Sequence, residues 1–178
     1  LAVGQQGVGK DADAEIGRVE VDPQRTGIAG RIDGDDQGLI LPPRLAPLQA
    51  VIVPIFKTEA EKELTIEAGK KVRDELARAG IRTKLDERDG ISPGFKFNDW
   101  EMRGVPLRIE IGPKDVDKGT VVFARRDLPG KEGKSFVPQA GLVDAVMQSL
   151  DTIQKALYER ALNFREANTV NAGDYNEF

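Results

Sequence analysis

S-P-G-F-K-F-N-D-W-E-M-R-G-V-P-L-R-I-E-I-G-P-K-D, residues 92–115, decides how this chain folds. Ser92 followed by Pro93 reads as a helix start: a serine N-cap, then a proline in the first turn, where its missing N–H is not needed. The helix carries Phe95, Phe97 and Trp100, which are expected to pack inward, and it ends at Gly104. Leu107, Ile109 and Ile111 then alternate with Arg108 and Glu110, which is the period of a strand with one apolar and one polar face. Gly112-Pro113 breaks the strand, and Lys118-Gly119 is expected as a hairpin turn.

Working outward, residues 120–124 read as another strand, 130–133 as a turn and 135–137 as a short edge strand. A final helix over residues 139–168 would turn Leu142, Val146, Met147, Leu150, Ile153, Leu157 and Leu162 inward. Upstream, Val51-Ile52-Val53 within residues 49–55 is a continuous β-branched run, the mark of a strand buried on both faces. Thr58 with Glu61 forms a capping box that opens a helix over residues 58–79. Ala60, Leu64, Ala68, Val72 and Leu76 recur every four residues as its apolar face. Gly69 should weaken its middle by roughly 1 kcal/mol, and Gly80 supplies the stop. Residues 81–85 alternate as a strand and empty into the charged loop D-E-R-D-G, residues 86–90. Residues 39–47, L-I-L-P-P-R-L-A-P, read as a short strand and a proline-stiffened connector. The order predicts one α/β domain with a mixed five-stranded sheet flanked by three helices. Its first strands should pair in parallel and its later ones antiparallel.

The 178 residues suit one domain with extra segments at the ends. With 39% apolar and 31% charged residues the chain reads as a water-soluble globular protein, and no apolar run approaches the ~20 residues of a membrane span. Neither cysteine nor histidine occurs, which removes thiolate ligands, disulfides and the commonest metal ligand and general base. No basic-then-apolar leader opens the chain, so cytoplasmic residence is the expectation. Net charge is −4, yet residues 81–134 hold 12 Lys/Arg against 10 Asp/Glu, a local excess of two positive charges. Residues 1–31 are glycine-rich and aperiodic. Within them G-Q-Q-G-V-G-K-D, residues 4–11, fits a phosphate loop until Asp11, where Ser or Thr should hold magnesium. Only three residues precede it, too few for the strand that launches such a loop.

Four segments stand in order over about 135 residues: G-D-D-Q-G-L-I-L-P-P-R-L-A-P (34–47), D-E-R-D (86–89), residues 92–115 and F-R-E-A-N-T (164–169). Together they resemble the prolyl-tRNA synthetase family of class II aminoacyl-tRNA synthetases, in its archaeal and eukaryotic-like form. The resemblance implies the end of catalytic motif 3 and a linker over residues 34–47, and the class II synthetase anticodon-binding domain over residues 48–169. Residues 170–178 would begin a further C-terminal domain that is cut short. Residues 1–33 do not match, and Asp33 stands where the family has histidine. The expectation is a fragment or broken gene copy lacking motifs 1 and 2, with about 31 unrelated residues at its start.

In that family the domain reads the two guanines shared by proline anticodons. The resemblance implies Glu101, Arg108, Lys114, Asp115 and Lys134 as the reading set, with Arg88, Asp89 and Lys96 as supporting RNA contacts. The chemistry suits guanine: a carboxylate accepts from N1 and N2, and Arg or Lys donates to O6 and N7. For each charge the alternative is an ion pair within the domain, as Arg108 and Glu110 share a strand face. The implied partner is proline tRNA, and the parent reaction is ATP-dependent attachment of proline to it. ATP and Mg2+ would belong to the catalytic domain of a homodimeric parent, and this chain alone is expected to be inactive, without catalytic residues, cofactor, metal or membrane. Rival readings are a freestanding anticodon-domain accessory RNA-binding protein, a P-loop nucleotide-binding protein using Lys10, and a folded but inert remnant.

Overall fold

A computed structural model describes residues 34–35, 38–128 and 130–169. The phosphate-loop-like residues 4–11, Asp33 and residues 170–178 lie outside the described residues. A two-residue ladder, β1 (Gly34–Asp35) with β2 (Gly38–Leu39), leads into the domain. At the centre is β3 (Ala50–Pro54), every residue of which is buried. It pairs in parallel with β4 (Thr83–Leu85) on one side and β5 (Leu107–Ile111) on the other. The antiparallel strands β6 (Thr120–Arg125) and β7 (Lys134–Pro138) complete the sheet, in the order β4-β3-β5-β6-β7.

Because side chains alternate across a strand, β3 has two faces to cover. Ala50 and Ile52 enter one core with Leu107, Ile109, Ile111, Val121 and Phe123, beneath α1 (Glu59–Arg78) and α4 (Leu142–Ala167). Val51 and Val53 enter a smaller core on the opposite face, closed by Trp100 of α2 (Pro93–Met102) and by Val105. As crossovers from β3 to β4 and from β4 to β5, α1 and α2 thus lie on opposite faces of the sheet. No helix of the described residues is long and apolar enough to cross a membrane.

Four expectations need correction. The turn at Lys118-Gly119 is the end of a fourth helix, α3 (Pro113–Lys118). Gly112 N–H donates to Asp115 Oδ2 at 2.9 Å, Pro113 opens the first turn and Gly119 closes it at φ 63°, a complete start and stop in a run too short for periodicity to show. The buried stripe of α1 is Thr65, Gly69, Val72 and Leu76, whereas Ala60 and Leu64 are exposed. A row spaced strictly by four drifts about 40° per step around a 3.6-residue helix, while mixed spacings of four and three stay on one face. Met147 of α4 is exposed, as is Phe95 of α2. Gly69 does more than weaken its helix, since a Cβ there would stand 2.6 Å from Leu85 Cδ1, so glycine lets α1 approach β4.

Gly104 ends α2 at φ +70°, and a Cβ there would lie 2.9 Å from both Leu39 Cγ and Leu41 Cγ. Left-handed backbone costs an L-residue about 1–2 kcal/mol before any clash is counted. Gly104→Ala should therefore lower unfolding free energy by at least about 2 kcal/mol, read as a shifted urea midpoint with unchanged slope.

Candidate functional site

The polar face of β5 continues across the sheet in register. Arg108 faces Val51 on one side and Ala124 on the other, and Ala124 faces Lys134. Glu110 likewise lines up with Val53, Val122 and Phe136. α2 covers only the β3 end of this face. What remains open toward β6 and β7 is a cleft of about 390 Å³, lined by Trp100, Glu101, Arg108, Arg125, Lys131 and Lys134 among others.

Helix geometry sorts the side chains of α2. Residues four apart share a row, so Lys96 and Trp100 point into the protein while Phe97 and Glu101 point along the sheet toward β5. Arg108 Nη1 donates to Glu101 Oε1 at 2.5 Å and Arg108 Nε to Glu110 Oε1 at 3.1 Å, with the guanidinium 4.0 Å above the Phe97 ring centre. Lys134 Nζ donates to both oxygens of Glu110, at 2.9 and 3.0 Å. The result is an alternating chain of charges, Glu101–Arg108–Glu110–Lys134, of which Glu101, Arg108 and Lys134 line the cleft. It leaves Arg108 Nη2 and Glu101 Oε2 without hydrogen-bond partners among the described residues, a donor and an acceptor side by side. Such a pair suits a planar ligand with donors and acceptors on one rim.

The other expected site residues lie elsewhere. Lys114 is exposed on α3, and it makes no ion pair among the described residues. The Asp115 carboxylate caps its own helix through Gly112. Asp89 pairs with Lys62 of α1 at 2.9 Å, and Lys62 in turn holds it below the usual carboxylate range. Lys96, expected as an RNA contact, is corrected: it is 2% exposed, its ammonium donating to the Asp86 carbonyl at 3.2 Å. Arg88 is largely committed within the domain, gripping Asp86 through Nε at 2.9 Å and Nη2 at 2.7 Å and Asp99 through Nη1 at 2.6 Å.

Asp86 is the residue that sequence reasoning missed. Placed in a loop by its charged neighbours, it is in fact 2% exposed. Burial works to raise its pKa, but hydrogen bonds from the Arg88 guanidinium, the Trp100 indole and the Arg88 amide, with the Lys96 ammonium nearby, outweigh that and hold it at about 2. Trp100 Nε1–H donates to Asp86 Oδ2 at 2.7 Å. The available signal was position: Asp86 follows directly on an alternating strand, where the chain has not yet left the sheet. Arg125, the last residue of β6, and Lys131, in the turn that precedes β7, also line the cleft, and neither carried a motif.

With the geometry in place, comparison with known proteins is specific. Residues 49–146 match the family described as the anticodon binding domain. The chain is 54% identical over 143 residues to a proline–tRNA ligase of Roseiflexus sp. (strain RS-1), covering 80% of this chain and 30% of the relative. It is 52% identical over 147 residues to the chloroplastic/mitochondrial proline–tRNA ligase of Arabidopsis thaliana, covering 81% and 27%. With the proline–tRNA ligase of Deinococcus radiodurans identity is 42% over 145 residues. The chain thus spans about a third or less of the length of these relatives.

The depressed Asp86 pKa has a stability consequence. Its folded value lies below the ordinary 3.8, so its contribution is fully present above about pH 4 and is lost as pH falls toward 2. About 2 kcal/mol should disappear across that window. Chemical unfolding followed from pH 5 to pH 2 checks this, and Asp86→Asn should flatten that part of the profile while lowering stability at pH 7.

Proposed function

The chain belongs to the anticodon-binding domain family, and on that premise we propose that it recognises the anticodon of proline tRNA as one part of a proline–tRNA ligase. The observation that carries this reading is the unpaired edge shared by Glu101 and Arg108. The guanine N1–H and N2–H groups donate to Glu101, and O6 and N7 accept from Arg108. Phe97 stiffens the arrangement by holding the guanidinium from below. Lys134 sits two strands further out, on β7, able to leave Glu110 for a second guanine or a phosphate. Exposed Lys114 extends the same reading to the next nucleotide, while Asp115 serves α3 first. Arg88 and Asp89 act from behind the cleft.

Recognition here would orient a bound tRNA toward the portion of the enzyme that this chain does not span. Proline, ATP and Mg2+ belong to that portion, as does a homodimeric, cytoplasmic parent. Among the described residues no cluster of three His, Cys, Asp or Glu side chains is arranged to hold a metal ion.

The test is a binding titration at fixed salt, because phosphate contacts make affinity strongly salt-dependent. Proline tRNA should bind the 178-residue chain at least about ten-fold tighter than the same tRNA with both anticodon guanines replaced, since each well-formed pair discriminates by about 1–3 kcal/mol. Arg108→Lys keeps the charge but loses the planar fork, and should erase most of the preference while sparing general affinity. Equal binding of the two tRNAs by the unmodified chain would refute base reading at this cleft.

A further inference from the structure

Only two of the ten residues of α2 are buried, Lys96 and Trp100, and both rest on Asp86. A helix this short is marginal by itself in water, and one buried tryptophan with a half-buried Phe97 gives it little apolar surface to fix its rotation. The polar contacts therefore set its pose. Asp86 is itself anchored, because its N–H donates to Ile52 O at 2.9 Å and so prolongs the ladder between β3 and β4 by one residue. Its carboxylate receives the Arg88 amide and Nε on Oδ1, and Arg88 Nη2 and the Trp100 indole on Oδ2. Arg88 carries the tie onward to Asp99 of α2 at 2.6 Å.

We propose that Asp86 is a positioning residue for base recognition, holding α2 at the depth and rotation that bring Phe97 and Glu101 onto Arg108. The inference rests on the reading of the cleft given above. Physically, the row Lys96/Trp100 and the row Phe97/Glu101 belong to one rigid helix, about 100° apart around its axis. Fixing the first row on Asp86 fixes the second over β5. An error of about 1 Å at Glu101 is enough to spoil a bidentate geometry. The buried carboxylate thus connects the central strand to the reading edge without touching the ligand.

Asp86→Asn isolates this role, because it keeps the volume but turns one acceptor into an NH2 that faces donors. Trp100 is the only tryptophan in the chain, so a single indole resonance in a 1H–15N spectrum reports its bond to Asp86. In Asp86→Asn the indole proton should move upfield, exchange of the Arg108 Nη1 protons, which bind Glu101 of α2, should accelerate about ten-fold or more, and the guanine preference should fall to near one. Affinity for the guanine-free tRNA should hold within about two-fold, since phosphate contacts carry it. An indole that moves while Arg108 exchange and guanine preference keep their original values overturns the proposal. Where circular dichroism shows Asp86→Asn unfolded, Asp99→Asn takes its place, cutting the tie at the surface, and the same readouts decide. Should the unmodified chain show no guanine preference, base reading fails, and the Arg108 exchange rate still decides whether Asp86 positions α2.

Discussion

Residues Ala50–Pro54 are covered on both faces, and that single demand organises the domain. A strand with two apolar faces cannot stand at the edge of a sheet or against water. It needs a neighbour on each side and a layer above and below. β4 and β5 supply the neighbours in parallel, which obliges each connection to cross over the sheet. The two crossovers become α1 and α2, and the faces they cover are unequal. The α1 side is deep, because α4 joins it and β5 and β6 send their apolar residues there. The α2 side is shallow, a patch around Trp100.

That shallowness is what leaves the cleft open. Where α2 stops, the sheet continues, and the alternating residues of β5 on this side are Arg108 and Glu110 instead of aliphatic ones. They are neither in the core nor in open water. Arg108 keeps 11% of its side chain exposed and Glu110 7%, so each charge must be satisfied largely by its neighbours. Exposed ion pairs contribute little to stability, about 0–1 kcal/mol each. Largely buried, the pairs of this chain chiefly define direction. A guanidinium held by a carboxylate at each of two nitrogens and by a ring below has one orientation left. Its remaining donors are thereby held in a fixed direction at the cleft wall.

Much of this was legible in the sequence. The run Val51-Ile52-Val53 announced the central strand, Thr58 with Glu61 the start of α1, and Ser92-Pro93 the start of α2, because each depends on chemistry within a few residues. The polar face of β5 followed from strict alternation. α3 escaped because six residues make too few turns to show a period. The buried face of α1 was misassigned because spacing by four follows a helix only briefly. Lys96 and Asp86 were misread for a common reason: charge suggests water, and neither residue alone reveals the partner that makes burial tolerable.

The sequence by itself determined roughly where the five strands of the main sheet and three of the four helices lie, that the sheet is mixed, and that β5 carries Arg108 and Glu110 on a polar face, with charged Glu101 and Lys134 on neighbouring elements. Those properties reside in local patterns of polarity and backbone preference. Only the tertiary structure decided which of these charges meet. Cross-strand register sets Lys134 beside Arg108 across Ala124, and the crossover of α2 lowers Glu101 onto the same guanidinium. Lys114, six residues along the chain from Arg108, is carried away on a separate helix. Distance in space is fixed by pairing and packing between segments far apart in the chain, which no local pattern encodes.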